Sequence, residues 1–402
     1  MKLLHFVHLS IAFTAISCLQ RAQETNSKLK MEQLTFPSVN ASAEPFLYSD
    51  DSVVYLSWVE KGDSGTTFKM SRLDDTRWTT PSTIAAGSSW FVNWADYPML
   101  ASKGQNLIAH FLDKSDKGKY AYDVKFTMSN DGGHTWKTPT LLNDDNKEAE
   151  HGFVTLLPYG DNFFVTWLDG RNTAMEGMAG MDHHEGHHGS MSLRAAIVDC
   201  AGNKIKEWEL DNKTCDCCQT TAAITPAGPV VVYRDRSDDE IRDMSIVRYI
   251  NDEWTSPKAI HNDNWKISGC PVNGPRVASK GNTLAVAWFS AASDTAHINV
   301  SFSANAGESF NEPIRMDEGN AIGRVDIHLM DDNTALVMWM EGGDIRLAKV
   351  KKDGTKSPSM TLASSSDSRA SGFPQLTISG GRAIAAWTDD KEKIIKTASI
   401  LL

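Results

Sequence analysis

The stretch FFVTWLD (163–169) is a short alternating apolar strand that ends in an aromatic and runs into an acidic loop, and its pattern recurs along the chain. The other copies read VVYLSWVE (53–60), LIAHFLD (107–113), VVVYRD (230–235), LAVAWFS (284–290), ALVMWME (335–341) and AIAAWTD (383–389). Their aromatics are Trp58, Phe111, Trp167, Tyr233, Trp288, Trp339 and Trp387. A spacing of roughly fifty residues is close to the period of a four-stranded propeller blade. The pattern predicts an all-β chain, a β-propeller of seven four-stranded blades, or six if one copy is irregular. Each copy supplies the second strand of a blade.

A second element follows most copies: Trp78-Thr-Thr-Pro81, Trp136-Lys-Thr-Pro139, Trp254-Thr-Ser-Pro257 and Phe310-Asn-Glu-Pro313. Proline has no N–H for a ladder, so it is expected on the outermost strand, where the missing donor costs little. The last copy, from Phe373 to Leu402, has room for three strands only. Residues Met31 to Pro37 are expected to add the fourth, closing the ring from both chain ends and removing an exposed sheet edge.

Between the third and fourth strands of the second copy lies Ser129-Asn-Asp131-Gly-Gly133-His-Thr135-Trp136, and a degenerate version, Ser303-Ala-Asn305-Ala-Gly307-Glu-Ser309-Phe310, occupies the matching place in the fifth. A short aspartate can accept backbone N–H groups in such a turn, while glycine supplies positive φ. Both stretches resemble the Asp-box (BNR repeat) of the sialidase superfamily. The resemblance implies the propeller fold and a glycan-directed role, binding or hydrolysing an acidic sugar. An active member would be an exo-sialidase-type glycoside hydrolase, using three arginines, a tyrosine–glutamate pair and an aspartate. The family's Arg-Ile-Pro motif is missing, because the matching region reads Phe36-Pro37-Ser38, and that argues against sialoside hydrolysis.

The net charge of −11 over 402 residues leaves no basic excess to neutralise phosphates, which excludes nucleic acid as a partner. Lys2, an apolar run from Leu3 to Ile16 and Ala15-Ile16-Ser17-Cys18 come in the order of a bacterial signal peptide (1–18) ending in a lipobox-like site. This predicts export, lipidation at Cys18, a polar tether over 19–30 and a single propeller domain over 31–402. The chain is thus read as a monomeric outer-membrane lipoprotein of the cell envelope, anchored by its N-terminal lipid.

In a propeller the connections between blades and the loops between second and third strands emerge on one face. Three groups are expected there. Arg171, Arg234, Arg236 and Arg324 are candidates for binding an acidic ligand, since a guanidinium recognises carboxylates bidentately, with Asp235, Glu240 and Asp326 as candidate catalytic carboxylates. Tyr233 is read as packing. Cys215, Cys217, Cys218 and Cys270 admit two readings, disulfides in an oxidising compartment or a thiolate site for copper or zinc. His183, His184, His187 and His188 lie in a Met- and Gly-rich insertion that suits the same metals, or that is a loop binding metals adventitiously. Three functions follow: a glycan-directed protein, a copper- or zinc-binding envelope lipoprotein, and a protein-binding scaffold.

Overall fold

The computed structural model describes residues 30–50, 52–118, 120–173 and 189–402. The segment read as a leader with Cys18, that read as a tether as far as residue 29, and His183, His184, His187 and His188 lie outside the described residues.

Seven antiparallel sheets succeed one another along the chain. The apolar copies are their second strands: Val54–Gly62, Asn106–Lys114, Asn162–Asp169, Gly228–Arg234, Thr283–Ser290, Thr334–Glu341 and Arg382–Asp389. In the seventh blade Lys30–Leu34 lies antiparallel to Ile394–Leu401, with Lys30 opposite Leu401 and Leu34 opposite Thr397. The ring is therefore closed by strands from both ends of the described chain.

The repeated aromatic-then-acid pattern has a local physical cause. Residues two apart on a strand point to the same face, so the indole N–H of a buried tryptophan meets the acid that follows it. Trp58 donates to Glu60 at 2.9 Å, Trp167 to Asp169 at 2.8 Å and Trp339 to Glu341 at 2.9 Å, and all three indoles are fully buried. The fifth blade has Ser290 at the acid's place, and its Trp288 donates instead to Asp263, at 2.7 Å, from the connection before that blade. A double-mutant cycle of Trp288→Phe and Asp263→Ala is expected to show a coupling of about 1.5 kcal/mol in urea denaturation, as for a hydrogen bond to a charged acceptor. Additive losses would show the indole N–H to be satisfied elsewhere.

The proline element needs a small correction. Pro81, Pro139, Pro257 and Pro313 stand at the threshold of the outer strands Ser82–Gly87, Thr140–Leu141, Lys258–Ala259 and Ile314–Arg315, not within them. Lacking a donor, the ring ends the loop and pairing starts with the next residue. The Ser129–Trp136 turn forms as its residues dictate. Asp131 accepts from the N–H of His134 and Thr135 at 3.0 and 2.9 Å and from the Thr135 hydroxyl at 2.6 Å. Its carboxyl is held well below the usual range, above all by Thr135. Gly133 has φ 87°, and a Cβ there would come within 2.9 Å of Met70.

Three blades begin with the same irregularity. Glu44, Phe153 and Arg324 have φ of 52°, 53° and 52°, each at a register shift in the first strand. Such bulges re-aim side chains next to sites. Side chains from the connection into the neighbouring, earlier blade hold two of them: Asp96 accepts from the Phe153 N–H at 2.7 Å and Asn273 from the Arg324 N–H at 2.8 Å.

Candidate functional site: the face of the blade connections

The connection before the second blade reaches across the axis of the ring. Trp94 stacks on Phe373 with centroids 5.6 Å apart, and the Ala95 carbonyl accepts from Gln219 Nε2 at 2.6 Å. The Tyr97 hydroxyl is bonded by Arg276 and by Gln375 Nε2. Connections far apart in sequence thus meet on one face. The cysteine segment and the Arg234 loop are in direct contact there: the Cys215 N–H donates to the Arg234 carbonyl at 3.1 Å.

The arginines singled out from sequence sit on this face but are engaged within the protein. Arg234, 2% exposed, donates to the carbonyls of Arg242 (2.7 Å), Asn273 (2.9 Å) and Phe289 (2.7 Å). Arg324 donates to Ser371 and to the carbonyls of Asp367, Ser368 and Gly372, and burial lowers its pKa to about 10. Arg171 forks onto Asp169 at 2.8 and 2.9 Å. Arg236 forks onto Glu240 and also reaches Asp216. In this geometry Arg234 and Arg324 tie loops together, while the buried Arg234 Nε has no hydrogen-bond partner among the described residues.

The candidate carboxylates are not gathered around one point. Asp326 accepts from the Ile327 and Leu376 N–H groups, bracing the sixth blade against the seventh. Asp235 accepts from Ser245 and from the Arg236 N–H, and burial raises its pKa. Glu240 is held ionised chiefly by Arg236, then by Arg242. Tyr233 is core, as its repeat position implies, with its hydroxyl on Asp211.

The cysteines do converge. Cys215, Asp216, Cys217 and Cys218 form a tight turn entering the fourth blade, so positions 215 and 218 face each other, Sγ to Sγ at 3.7 Å. The thiols of Cys215, Cys217 and Cys218 lie within 4.8 Å of one another. Cys270, from the next connection, interacts with Cys215 and Cys217. All four are unpaired thiols. Arg242 Nη1 points at the Cys215 sulfur from 3.3 Å. Thiol hydrogen bonds from Cys217, Cys218 and Cys270, helped by Arg242, drive the Cys215 pKa well down against its burial. Burial first, then Cys215, pushes Cys218 up to about 12. Cys200 stands apart on the opposite side, at the turn after Val198, donating to the Asp161 carbonyl.

Across the axis, between the first and seventh blades, the same face holds a cavity of about 510 Å³. Glu44, Lys61, Trp94, Arg369, Thr388 and Asp390 are among its walls. Glu44 is 8% exposed, and its Oε2 has no hydrogen-bond partner among the described residues, nor has the Thr388 hydroxyl. Burial, only partly offset by Lys61, raises the Glu44 pKa to about 7. Lys61 and Arg369 are exposed, and the Arg369 guanidinium lies 6.0 Å from the Trp94 ring centroid.

Sequence reading missed Glu44, Lys61 and Arg369, because no motif marks them and they come from opposite chain ends. It also missed a buried acidic group. The Tyr122 hydroxyl donates to Glu150 at 2.7 Å, burial raises Glu150 to about 7, and burial also raises Asp96 well above the usual carboxylate range. Tyr122 is 1% exposed and stacked on Phe91 at 4.1 Å, whereas Glu150 is half-buried.

Fold and face together define a seven-bladed propeller with a ligand-sized cavity and a thiol cluster on its connection face. No protein-family model matches the chain, and no curated protein does. Among solved structures, a puromycin-hydrolysing peptidase of Mycobacterium tuberculosis superposes with a TM-score of 0.52 at 12% identity, over 89% of this chain and 53% of that one. The chain thus spans about half the length of the peptidase. A neuraminidase-like protein from A/bat/Guatemala/164/2009 superposes with a TM-score of 0.50 at 10% identity, covering 93% of this chain and 94% of that one. The Hadza microbial sialidase Hz136 gives 0.47 at 13% identity, over 87% and 76%. At these identities the likeness is one of fold alone: the chain is a seven-bladed β-propeller.

Proposed function

We propose that the protein binds a small acidic sugar in the cavity between its first and seventh blades. The observation that carries this reading is the composition of the cavity walls. An aromatic face suits the C–H face of a sugar, Lys61 and Arg369 suit a carboxylate, and the unpartnered Glu44 carboxyl supplies a hydrogen bond from below. The volume falls in the range of about 300–1,000 Å³ for small-molecule sites. Glu44 and Asp390 are also two carboxylates on one cavity, the kind of pair that glycoside hydrolysis uses.

The test is calorimetric titration with N-acetylneuraminic acid and with neutral N-acetylmannosamine. The acid is expected to bind about tenfold more tightly, and Arg369→Ala or Lys61→Ala to remove that difference, since roughly 1.4 kcal/mol is a factor of ten. Glu44 is neutral below its pKa of about 7 and repels a carboxylate above it, so affinity should fall as pH rises through 7. In Glu44→Gln that fall should vanish. Equal binding of acid and neutral sugar, or indifference to Arg369, would remove the proposal.

A further inference from the structure

The thiol cluster lies across the axis from the cavity and contributes no residue to its walls. We propose that Cys215, Cys217, Cys218 and Cys270 form a binding site for one thiophilic metal ion, zinc(II) if all four sulfurs close on it and copper(I) if three do.

The geometry is that of a site prepared before its ion arrives. In a tetrahedral zinc–thiolate centre, metal–sulfur bonds of about 2.3 Å place neighbouring sulfurs ~3.8 Å apart, and the Cys215 and Cys218 sulfurs are 3.7 Å apart. The three thiols of the turn are already within 4.8 Å of one another. Thiolate donors select zinc and copper(I) over harder ions such as magnesium or calcium. Cys215 is anchored by backbone pairing, its N–H on the Arg234 carbonyl and Thr214 bridged to Asp235. Cys270 comes from a separate connection and is exposed, which leaves a route for the ion from solvent.

The surroundings also fit an anionic centre. Binding releases the thiol protons, so a zinc ion with four thiolates carries a net charge of −2. The Arg242 guanidinium, 3.3 Å from the Cys215 sulfur and itself oriented by Glu240 at 2.9 Å, stands where an N–H···S bond stabilises such a centre. Metal sites commonly depend on an outer group of this sort. Cys200, on the opposite side of the ring, is a cysteine with no thiol neighbour to share an ion with and serves as an internal control.

The experiment uses the full chain, reduced and freed of metal anaerobically, then titrated with zinc(II), with cobalt(II) as a coloured substitute, and with copper(I) held by a competing chelator. One ion per chain is expected, with a sulfur-to-cobalt charge-transfer band and protection of four thiols from alkylation by zinc, or of three by copper(I). Cys217→Ser and Cys218→Ser should lower affinity at least a hundredfold, while Cys200→Ser should not change it. Circular dichroism verifies that each variant is folded, and Arg242→Lys, which keeps the charge, should shift affinity without altering stoichiometry. Three results would overturn the assignment: metal retained in the Cys217→Ser and Cys218→Ser variants, which would place it elsewhere; four thiols reacting at the same rate with and without metal; or disulfides linking these cysteines in protein recovered from an oxidising compartment.

Discussion

Arg234→Met is expected to lower the free energy of unfolding by about 3–5 kcal/mol and to leave sugar binding by the folded protein unchanged. The guanidinium lies 4.8 Å over the Trp265 ring and joins three carbonyls from three segments: the loop at Arg242, the connection at Asn273 and the strand end at Phe289. Methionine fills much of the same volume but donates nothing. Each carbonyl left buried without a donor costs ~1–3 kcal/mol, and the losses overlap. Urea denaturation measures the first half of the expectation and calorimetry with N-acetylneuraminic acid the second. A variant of unchanged stability that no longer bound the sugar would restore Arg234 as a ligand arginine.

Asp169→Asn is expected to cost about 3–5 kcal/mol, the range for breaking a buried ion pair, and to flatten the pH dependence of stability above pH 6.5. Asp169 is fully buried and accepts from Trp167 and from three N–H groups of Arg171, at 2.8 to 3.0 Å. Its Oδ1 lies 3.7 Å from His151 Nε2, which also faces Asp145 at 3.1 Å. The other ring nitrogen faces the carbonyls of Tyr122 and Ala149, so both nitrogens stand opposite acceptors, as an imidazolium requires. Burial opposes that charge, but the Asp145 hydrogen bond and the charges of Asp169 and Asp145 outweigh it, and the pKa is raised above 6.5. A raised folded-state pKa contributes stability that is complete below the unfolded value and is lost as pH climbs through the folded one. The wild-type protein should therefore lose stability above pH 6.5. Glu44 and Glu150, both raised to about 7 by burial, add a loss of the same sign from about pH 4.5 upward. Subtracting the Asp169→Asn profile isolates the histidine. Parallel profiles for the two proteins would show that His151 is not charged by this aspartate.

The repeat was readable because it is written locally. Trp58, Trp167 and Trp339 carry their acids two residues on, and the strand's own geometry makes the pair. Asp131 and Thr135 build their turn from five consecutive residues. The cysteine cluster was half readable: C-D-C-C is contiguous, but Cys270 joins it only because two blade connections run side by side. The cavity was not readable. Glu44 reaches it through a left-handed bulge, and Lys61, Trp94, Arg369 and Asp390 are brought there by closure of the ring between its first and last blades. Such long-range pairing has no local signature.

Arg234 and Arg324 show how other blades engage an arginine on the connection face. An arginine on a functional face suggests a ligand, yet whether it is free depends on which carbonyls other blades leave unpaired nearby. By itself, the amino-acid order determined the seven blades, the strand that closes them, the turns and the buried aromatic–acid pairs, because each rests on a short period or a few neighbouring residues. The tertiary structure alone decided which charged groups line the cavity and which brace the ring, because a buried polar group takes its role from partners that distant strands deliver.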